Sequence, residues 1–456
     1  MKGLSTLINN LNSRLHNKPD ITSCKAPFNT LFFSMTGEVY FCLSNRVQII
    51  GKYPQNSIIE ITEGLKVRNL RKYFIENSGM PGCEYCKGQI SLGNYCAAFT
   101  QFSDVESKKG EIAVIEFELS NQCNLQCVMC SENYSSMFQG DCEKTKIPYD
   151  NQFVIQITPF LKKLKKASFR GGEPFLIPIY YELWDELLKT NHKVKIFITT
   201  NGTVYSPKIE RYLQSNQFHI SLSIDTLQKE SFSKIRVHGN YDNYINNISH
   251  YIELSKKGNI SLSVCTCIMI QNWQEIPSIF QFCDTNNLAI HLNYVKIPFE
   301  LSLKNLNSKE LNNVHEELTK HLKLVTKNHN IYKSMLTIIR EWGKTLNADK
   351  TSNKLSTLID SIEPDTIEIS NFQEQKNIFY NKLQKQSEQP ERYTRIFSDI
   401  EHKIFDKNRM LYLYLLLNHL PLAIILDLLK QKQGNPTAEE IEALIEISKI
   451  KFKINV

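Results

Sequence analysis

Residues 112 to 297 alternate between two hydrophobic periods, and that alternation restricts the fold more than any other feature of the chain. Period-two or continuously apolar runs lie at 112–119, 167–170, 194–199, 219–224, 260–270 and 288–297. Between them, apolar residues at helical spacing fall near 152–165, 178–190, 206–216, 242–257 and 274–287. Strands separated by helices of that length are not hairpin partners; they run parallel, and a right-handed crossover lays each helix on the sheet. Six such steps predict an α/β fold with a parallel sheet, curved into a partial barrel or open and doubly wound. In barrel enzymes, chemistry gathers in the loops that follow the carboxyl ends of the strands.

The loop after the first of these strands reads "CNLQCVMC", which sets Cys123, Cys127 and Cys130 in a Cys-x3-Cys-x2-Cys run. Three thiolates are one short of the four that close a structural zinc site or an iron–sulfur cube. A zinc site needs a further ligand close by, and no histidine follows until His192. In a four-iron cluster the missing ligand leaves one iron open to chelate a small molecule. The run resembles the signature of the radical S-adenosylmethionine (radical SAM) enzymes. That resemblance implies a six-stranded partial (β/α)6 barrel over residues 106–300, with a 4Fe-4S cluster whose open iron holds the amino and carboxyl groups of SAM. Reduction would cleave SAM to a 5'-deoxyadenosyl radical that abstracts hydrogen from a substrate carbon.

The other strand ends fit the same resemblance. "RGGEP" offers Gly171 and Gly172 for close backbone approach to a ligand and Glu173 as a carboxylate for an ammonium group. It is similar to the family's Gly-Gly-Glu element, which holds the SAM amino group. Thr200 and Asn201 in "TTNG" are polar groups before a turn glycine, and Ser223 and Asp225, two apart on one strand face, suit ribose hydroxyls. Arg236 in "KIRVHG" resembles the arginine that meets the cofactor carboxylate. Ile270 and Asn272 fall where the family lines adenine and ribose, Asn293 and Val295 lie on the sixth strand, and Met129 sits inside the cluster loop. Taken singly, "GGEP", "TTNG" and "SID" read equally as turns or caps; their order after the three-cysteine loop carries the expectation.

Before the barrel stands a second set of thiols: Cys24, twelve residues, Gly37, four residues, Cys42, and later Cys83 and Cys86 in "PGCEYC". The glycine suits a tight hairpin that brings Cys24 and Cys42 together at its open end, and four thiols match a closed cube. This resembles the twitch domain, the short relative of the SPASM domain, and implies one auxiliary 4Fe-4S cluster serving electron transfer or structural support. In most relatives this domain follows the barrel; here it precedes it. Structural zinc remains open for the set, and Cys96 is a spare or exchanging ligand. Cys142, Cys265 and Cys267 are expected to be packing residues, with a hydrogen-atom donor as the alternative.

The remaining features bound partners and location. A chain of 456 residues with 41% apolar and 22% charged content is ordinary for a protein of two or three domains, expected at 1–105, 106–300 and 301–456. The charge of +7 is spread over lysines that read as solvated helix faces, so no nucleic-acid partner is expected. The N-terminus shows no apolar signal core, and twelve cysteines fit ligation better than disulfides, which places the protein in the cytoplasm. The apolar stretch 410–429 is broken by Asn418, His419, Pro421 and Asp427 and is read as two buried helices, not a membrane span. Residues 301–456 read as mainly helical and of unassigned role. The resemblance to twitch and SPASM enzymes implies a peptide or protein substrate, as in maturation of ribosomally made peptides, with flavodoxin or ferredoxin as electron donor. The alternatives are a dehydrogenase or epimerase of a sugar or other small metabolite, and a non-catalytic iron–sulfur binding or electron-transfer protein.

Overall fold

The structure, a computed structural model, describes residues 21–91, 105, 110–138, 147–215, 217–348, 365–368, 372–386, 397, 414, 417–418 and 452–455. The chain divides into two compact units, residues 1–266 with 285–291, and residues 267–284 with 292–456. The dividing line falls within two strands of the main sheet.

That sheet is nine-stranded, in the order β3-β2-β1-β4-β5-β6-β7-β8-β9. The six expected strands are β4 (Val114–Phe117), β5 (Lys166–Phe169), β6 (Lys195–Thr200), β7 (Phe218–Ser223), β8 (Ser261–Ile268) and β9 (Ala289–Tyr294). Pairing is parallel from β4 through β8. The fold is α/β, a partial barrel of largely parallel strands. One face of each strand is apolar: Ile115 and Phe117, Ala167 and Phe169, Ile196 and Ile198, Ile220 and Leu222 are buried. The helices Asn151–Leu161 and Pro178–Thr190 cover it. Phe117 stacks on Phe169 at 4.9 Å between ring centroids, Phe153 meets Phe117 edge-on, and Trp184 meets Phe169 at 5.6 Å. Local sequence starts these helices: Asp150 accepts the amides of Gln152 and Phe153, and Pro178 opens the next helix at a position where its missing N–H costs nothing.

The N-terminal segment enlarges this sheet. β1 (Thr30–Phe33) and β2 (Glu38–Tyr40) form the expected hairpin around Gly37, whose φ of 85° is the left-handed conformation that glycine tolerates. β3 (Gly51–Lys52) pairs with β2. β1 also lies parallel to β4, Thr30 beside Val114 and Phe33 beside Phe117, so the cysteine-bearing hairpin continues the edge of the barrel sheet. Nothing in its alternation announces this, because a strand pattern records which face is buried and not which strand lies alongside.

The second unit is mainly helical, with Ile276–Asn286, Ser308–Lys320, His329–Ala348 and Phe372–Gln386. Asn307 and Glu310 form a capping box at the start of one helix. Asp284 gathers the backbone amides of Thr326, Lys327 and Asn328, fixing the turn before another. Beside these helices lies a parallel pair, β10 (Asp365–Glu368) with β11 (Phe452–Asn455). The polar stretch Phe372–Gln386 forms a helix. Most of 410–429 lies outside the described residues; among those described, no helix is long and apolar enough to cross a membrane.

Candidate active site

The three-cysteine loop leaves β4 and is held by the chain around it. Gln126 and Val128 donate their amides to the carbonyls of Val237 and Ile235, both at 3.0 Å, so the loop pairs with the turn that carries Arg236. Ser135 Oγ donates to the Leu125 carbonyl at 2.6 Å, Ser136 Oγ accepts the Cys123 amide at 3.2 Å, and Asn121 Nδ2 reaches the Glu132 carbonyl at 3.0 Å. These side chains carry no spacing signal, and sequence reasoning passed over all three. Cys127 is buried and Cys123 and Cys130 half-buried; burial raises all three thiols, Cys130 to about 11. Cys123 and Cys130 are each pushed further up by the neighbouring cysteines.

Polar groups point at these sulfurs. Arg236 Nη1 donates to Cys127 Sγ at 3.7 Å, and Asn201 Nδ2 to Cys123 Sγ at 3.9 Å. Arg236 also forms a buried ion pair with Asp225 at 2.5 Å. The two residues expected to meet opposite ends of the cofactor thus stand in contact, beside a cluster thiol. Asn201 Nδ2 also bonds Asn124 Oδ1 at 3.0 Å, and Asn124 in turn reaches Thr203 Oγ1 at 2.9 Å, a bridge between the β4 and β6 loops.

Glu173 is fully buried. Its Oε1 accepts Thr200 Oγ1 at 2.8 Å and the Phe175 amide at 3.2 Å; its Oε2 accepts the Asn201 amide at 2.7 Å. Burial lifts the carboxyl to about 7, outweighing the three donors and the Arg236 charge that favour the anion. The two glycines before it have a different neighbour from the one the sequence suggested. A Cβ on Gly171 would stand 2.3 Å from the Ser120 carbonyl oxygen, and one on Gly172 2.2 Å from that of Gln122. The close approach is to the chain's own backbone leading into Cys123.

Ser223 is half-buried at the end of β7, opposite Cys265; Met129 is half-buried in the loop. Ile270, Asn272, Asn293 and Val295 belong to the second unit. There Asn272 Oδ1 accepts the Met269 amide at 2.9 Å and its Nδ2 donates to the Cys267 carbonyl at 2.8 Å, closing the turn after β8. Asn293 is exposed and Val295 buried.

The N-terminal thiols interact as a set. Burial raises Cys24 to about 12, with further upward pushes from Cys86 and Cys83; Cys24 acts likewise on Cys42, and Cys83 on Cys86. Asn45, another residue without a sequence signal, donates to Cys83 Sγ at 3.5 Å and to the Pro81 carbonyl at 3.0 Å, tying the Cys42 turn to the Cys83 turn. Among the described residues no three histidine, cysteine, aspartate or glutamate side chains form a ready single-ion site. A cube differs in its demand, each of its thiols ligating a different iron. Cys96 and Cys142 lie outside the described residues.

Residues 117–283 match the radical SAM superfamily, and residues 24–87 match the SPASM iron–sulfur cluster-binding domain. The chain is a radical SAM enzyme. Its cofactors are the SAM-binding 4Fe-4S cluster, SAM and an auxiliary iron–sulfur cluster, which removes zinc and the non-catalytic reading together.

The enzyme is 27% identical over 219 residues to the probable GTP 3',8-cyclase of Methanocaldococcus jannaschii, covering 48% of this chain and 70% of that protein. It is 25% identical to molybdenum cofactor biosynthesis protein 1 of Dictyostelium discoideum, covering 41% and 29%, and 24% identical to the GTP 3',8-cyclase of Clostridium perfringens, covering 41% and 56%. Among solved structures, anSMEcpe with bound AdoMet aligns over 46% of this chain and 59% of its own, at 19% identity and a TM-score of 0.36. Streptococcus suis SuiB aligns over 55% and 61%, at 18% identity and 0.33. The curated relatives overturn the expected peptide or protein substrate, since their names describe a reaction on a small molecule. The expectation rested on the auxiliary domain, whose cysteines specify a cluster and carry no information on substrate size.

Proposed function

We propose that the enzyme carries out radical SAM chemistry on a small molecule, with Cys123, Cys127 and Cys130 holding the SAM-binding cluster. The observation that carries this is the convergence on one loop of three thiols, two donors aimed at sulfur, and a buried carboxylate at the end of the adjacent strand β5. When bound, the cluster and SAM supply an electron and a carbon-centred radical able to abstract hydrogen. The chain's own residues do the rest. Glu173, held by three donors, takes the SAM ammonium, while Arg236 turns from Asp225 toward the SAM carboxylate. Asp225 and Ser223 then face the ribose, and Thr200 and Asn201 keep the Glu173 carboxylate oriented. Gly171 and Gly172 seat this segment against the Ser120–Gln122 backbone.

Cys24, Cys42, Cys83 and Cys86 would hold the auxiliary cluster, which would supply a site for electron transfer to or from a flavodoxin- or ferredoxin-type donor or the substrate. GTP, the compound in the relatives' names, is the first substrate to supply. The test is release of 5'-deoxyadenosine by anaerobically reconstituted protein given SAM, a strong reductant and GTP, beside a variant with Cys123, Cys127 and Cys130 all changed to alanine. Release by the native chain alone is expected. Equal release by the variant, or none from a native protein with its clusters intact, would refute the reading.

A further inference from the structure

The face of the sheet turned away from the helices is polar where a closed barrel would be packed with branched apolar side chains. Strand register sets its residues in rows. One row runs Glu116, Ser168, Phe197, His219 and Ser261; the next places Thr199 beside Ser221 and Ser221 beside Ser263. Arg170, immediately before Gly171, reaches this face, since its Nη2 lies 3.3 Å from Glu116 Oε1. Lys166 sends its Nζ to 4.7 Å from the Phe197 ring centroid, and Phe197 stacks on His219 at 4.5 Å.

The charges on this face do not balance. Glu116 is matched by Arg170, and Glu118 by Arg46 of the N-terminal segment through two contacts of 2.9 Å. Lys166 and Lys195 have no carboxylate at ion-pair distance among the described residues. Arg170 keeps a buried Nε without an acceptor there and makes its one side-chain bond through Nη2. Burial pushes Lys166 down, Glu116 pulls it back up and Arg170 pushes it down again; burial also lowers His219, and Lys195 and Lys166 lower it further. Holding like charges together on a partly desolvated face costs stability, and a bound anion would offset that cost.

We infer that Lys166 and Lys195, side by side at the starts of β5 and β6, bind a polyanionic end of the small-molecule substrate on the inner face of the sheet. This rests on the reading of the strand ends as the radical-generating site. From Lys195 to Asn201 is six residues, about 20 Å of strand at about 3.3 Å per residue, part of it spanned by the lysine side chain. A molecule with its reacting carbon at the strand ends and phosphates or carboxylates toward the strand starts fits that direction.

The test is equilibrium binding to the reconstituted full chain with four probes: inorganic tripolyphosphate, GTP, guanosine and citrate. Native protein is compared with the Lys166→Gln, Lys195→Gln double variant, with Lys195→Gln alone, an exposed change the fold tolerates, and with Lys193→Gln, an exposed control. We expect GTP and tripolyphosphate to bind, guanosine at least about tenfold more weakly, and each lost inner-face lysine to weaken the anions about tenfold. Citrate binding with no binding of the phosphate compounds also supports the inference and identifies the anion as carboxylate. Equal affinity for GTP and guanosine, or equal loss in Lys193→Gln and Lys195→Gln, would overturn it. Release of 5'-deoxyadenosine is read in the same samples. Release without anion binding removes this inference alone; binding without release from intact clusters removes the radical reading and leaves the anion site.

Discussion

Replacing Gly172 by alanine should damage the enzyme through a contact between two backbones. Gly172 has no positive φ to lose, so the whole cost comes from the new methyl group. It would stand 2.2 Å from the Gln122 oxygen, 2.5 Å from the Asn121 oxygen and 2.5 Å from the Gln122 carbonyl carbon. An ordinary carbon–oxygen contact is about 3.3 Å or more, so one segment must move by about 1 Å. Two hydrogen bonds join them, Gly172 N–H to Ser120 at 3.0 Å and Glu173 N–H to Gln122 at 2.7 Å. Overpacking of about 1–3 kcal/mol and two bonds at about 1 kcal/mol each give a loss of about 3–5 kcal/mol. The Cys123 loop would shift with them. Gly258→Ala is the matched control: its φ is 80° and a Cβ there meets nothing within 4 Å, so it costs the left-handed conformation alone, about 1–2 kcal/mol. Urea unfolding of the cluster-free proteins reads the stabilities, and iron content with the Cys83 set intact reads loading of the radical cluster. A Gly172→Ala protein no less stable than Gly258→Ala and fully loaded would refute the reasoning.

Three further outcomes are expected. Cys127→Ala should abolish SAM cleavage while the N-terminal cluster still loads, as read by 5'-deoxyadenosine release beside iron content; retained cleavage would end the assignment of the loop. Cys83→Ala should spare SAM cleavage and stop product formation with a competent substrate, and full product from that variant would remove the electron-transfer role. Glu173 sets two pH dependences. Its folded pKa of about 7 stands above the 4.5 of the unfolded chain, so its contribution to SAM-free stability is complete below pH 4.5 and fades as pH rises through about 7. Glu173→Gln should flatten that part of a thermal-unfolding profile. Since the anion is the form that receives an ammonium group, SAM affinity should rise about tenfold per pH unit toward pH 7 and then level off. An affinity constant from pH 5 to 8 would contradict the role given to Glu173.

The sequence alone determined the parts whose signal is local. Hydrophobic period follows from the geometry of one strand or helix, which is why β4 to β9 and the helices between them were legible within a few residues. Cysteine spacing is equally local, because three thiols on an eight-residue loop stay together in any fold. Tertiary structure decided what depends on pairing between distant segments. It joined β1 parallel to β4, set Arg236 against both Asp225 and Cys127, and gave Gly171 and Gly172 the Ser120–Gln122 backbone as their neighbour. It also gathered Lys166, Arg170 and Lys195 from two strands onto one face, where along the chain they are scattered basic residues. Such contacts form between residues tens of positions apart, and their geometry is written in strand register and packing, which no short window of sequence contains.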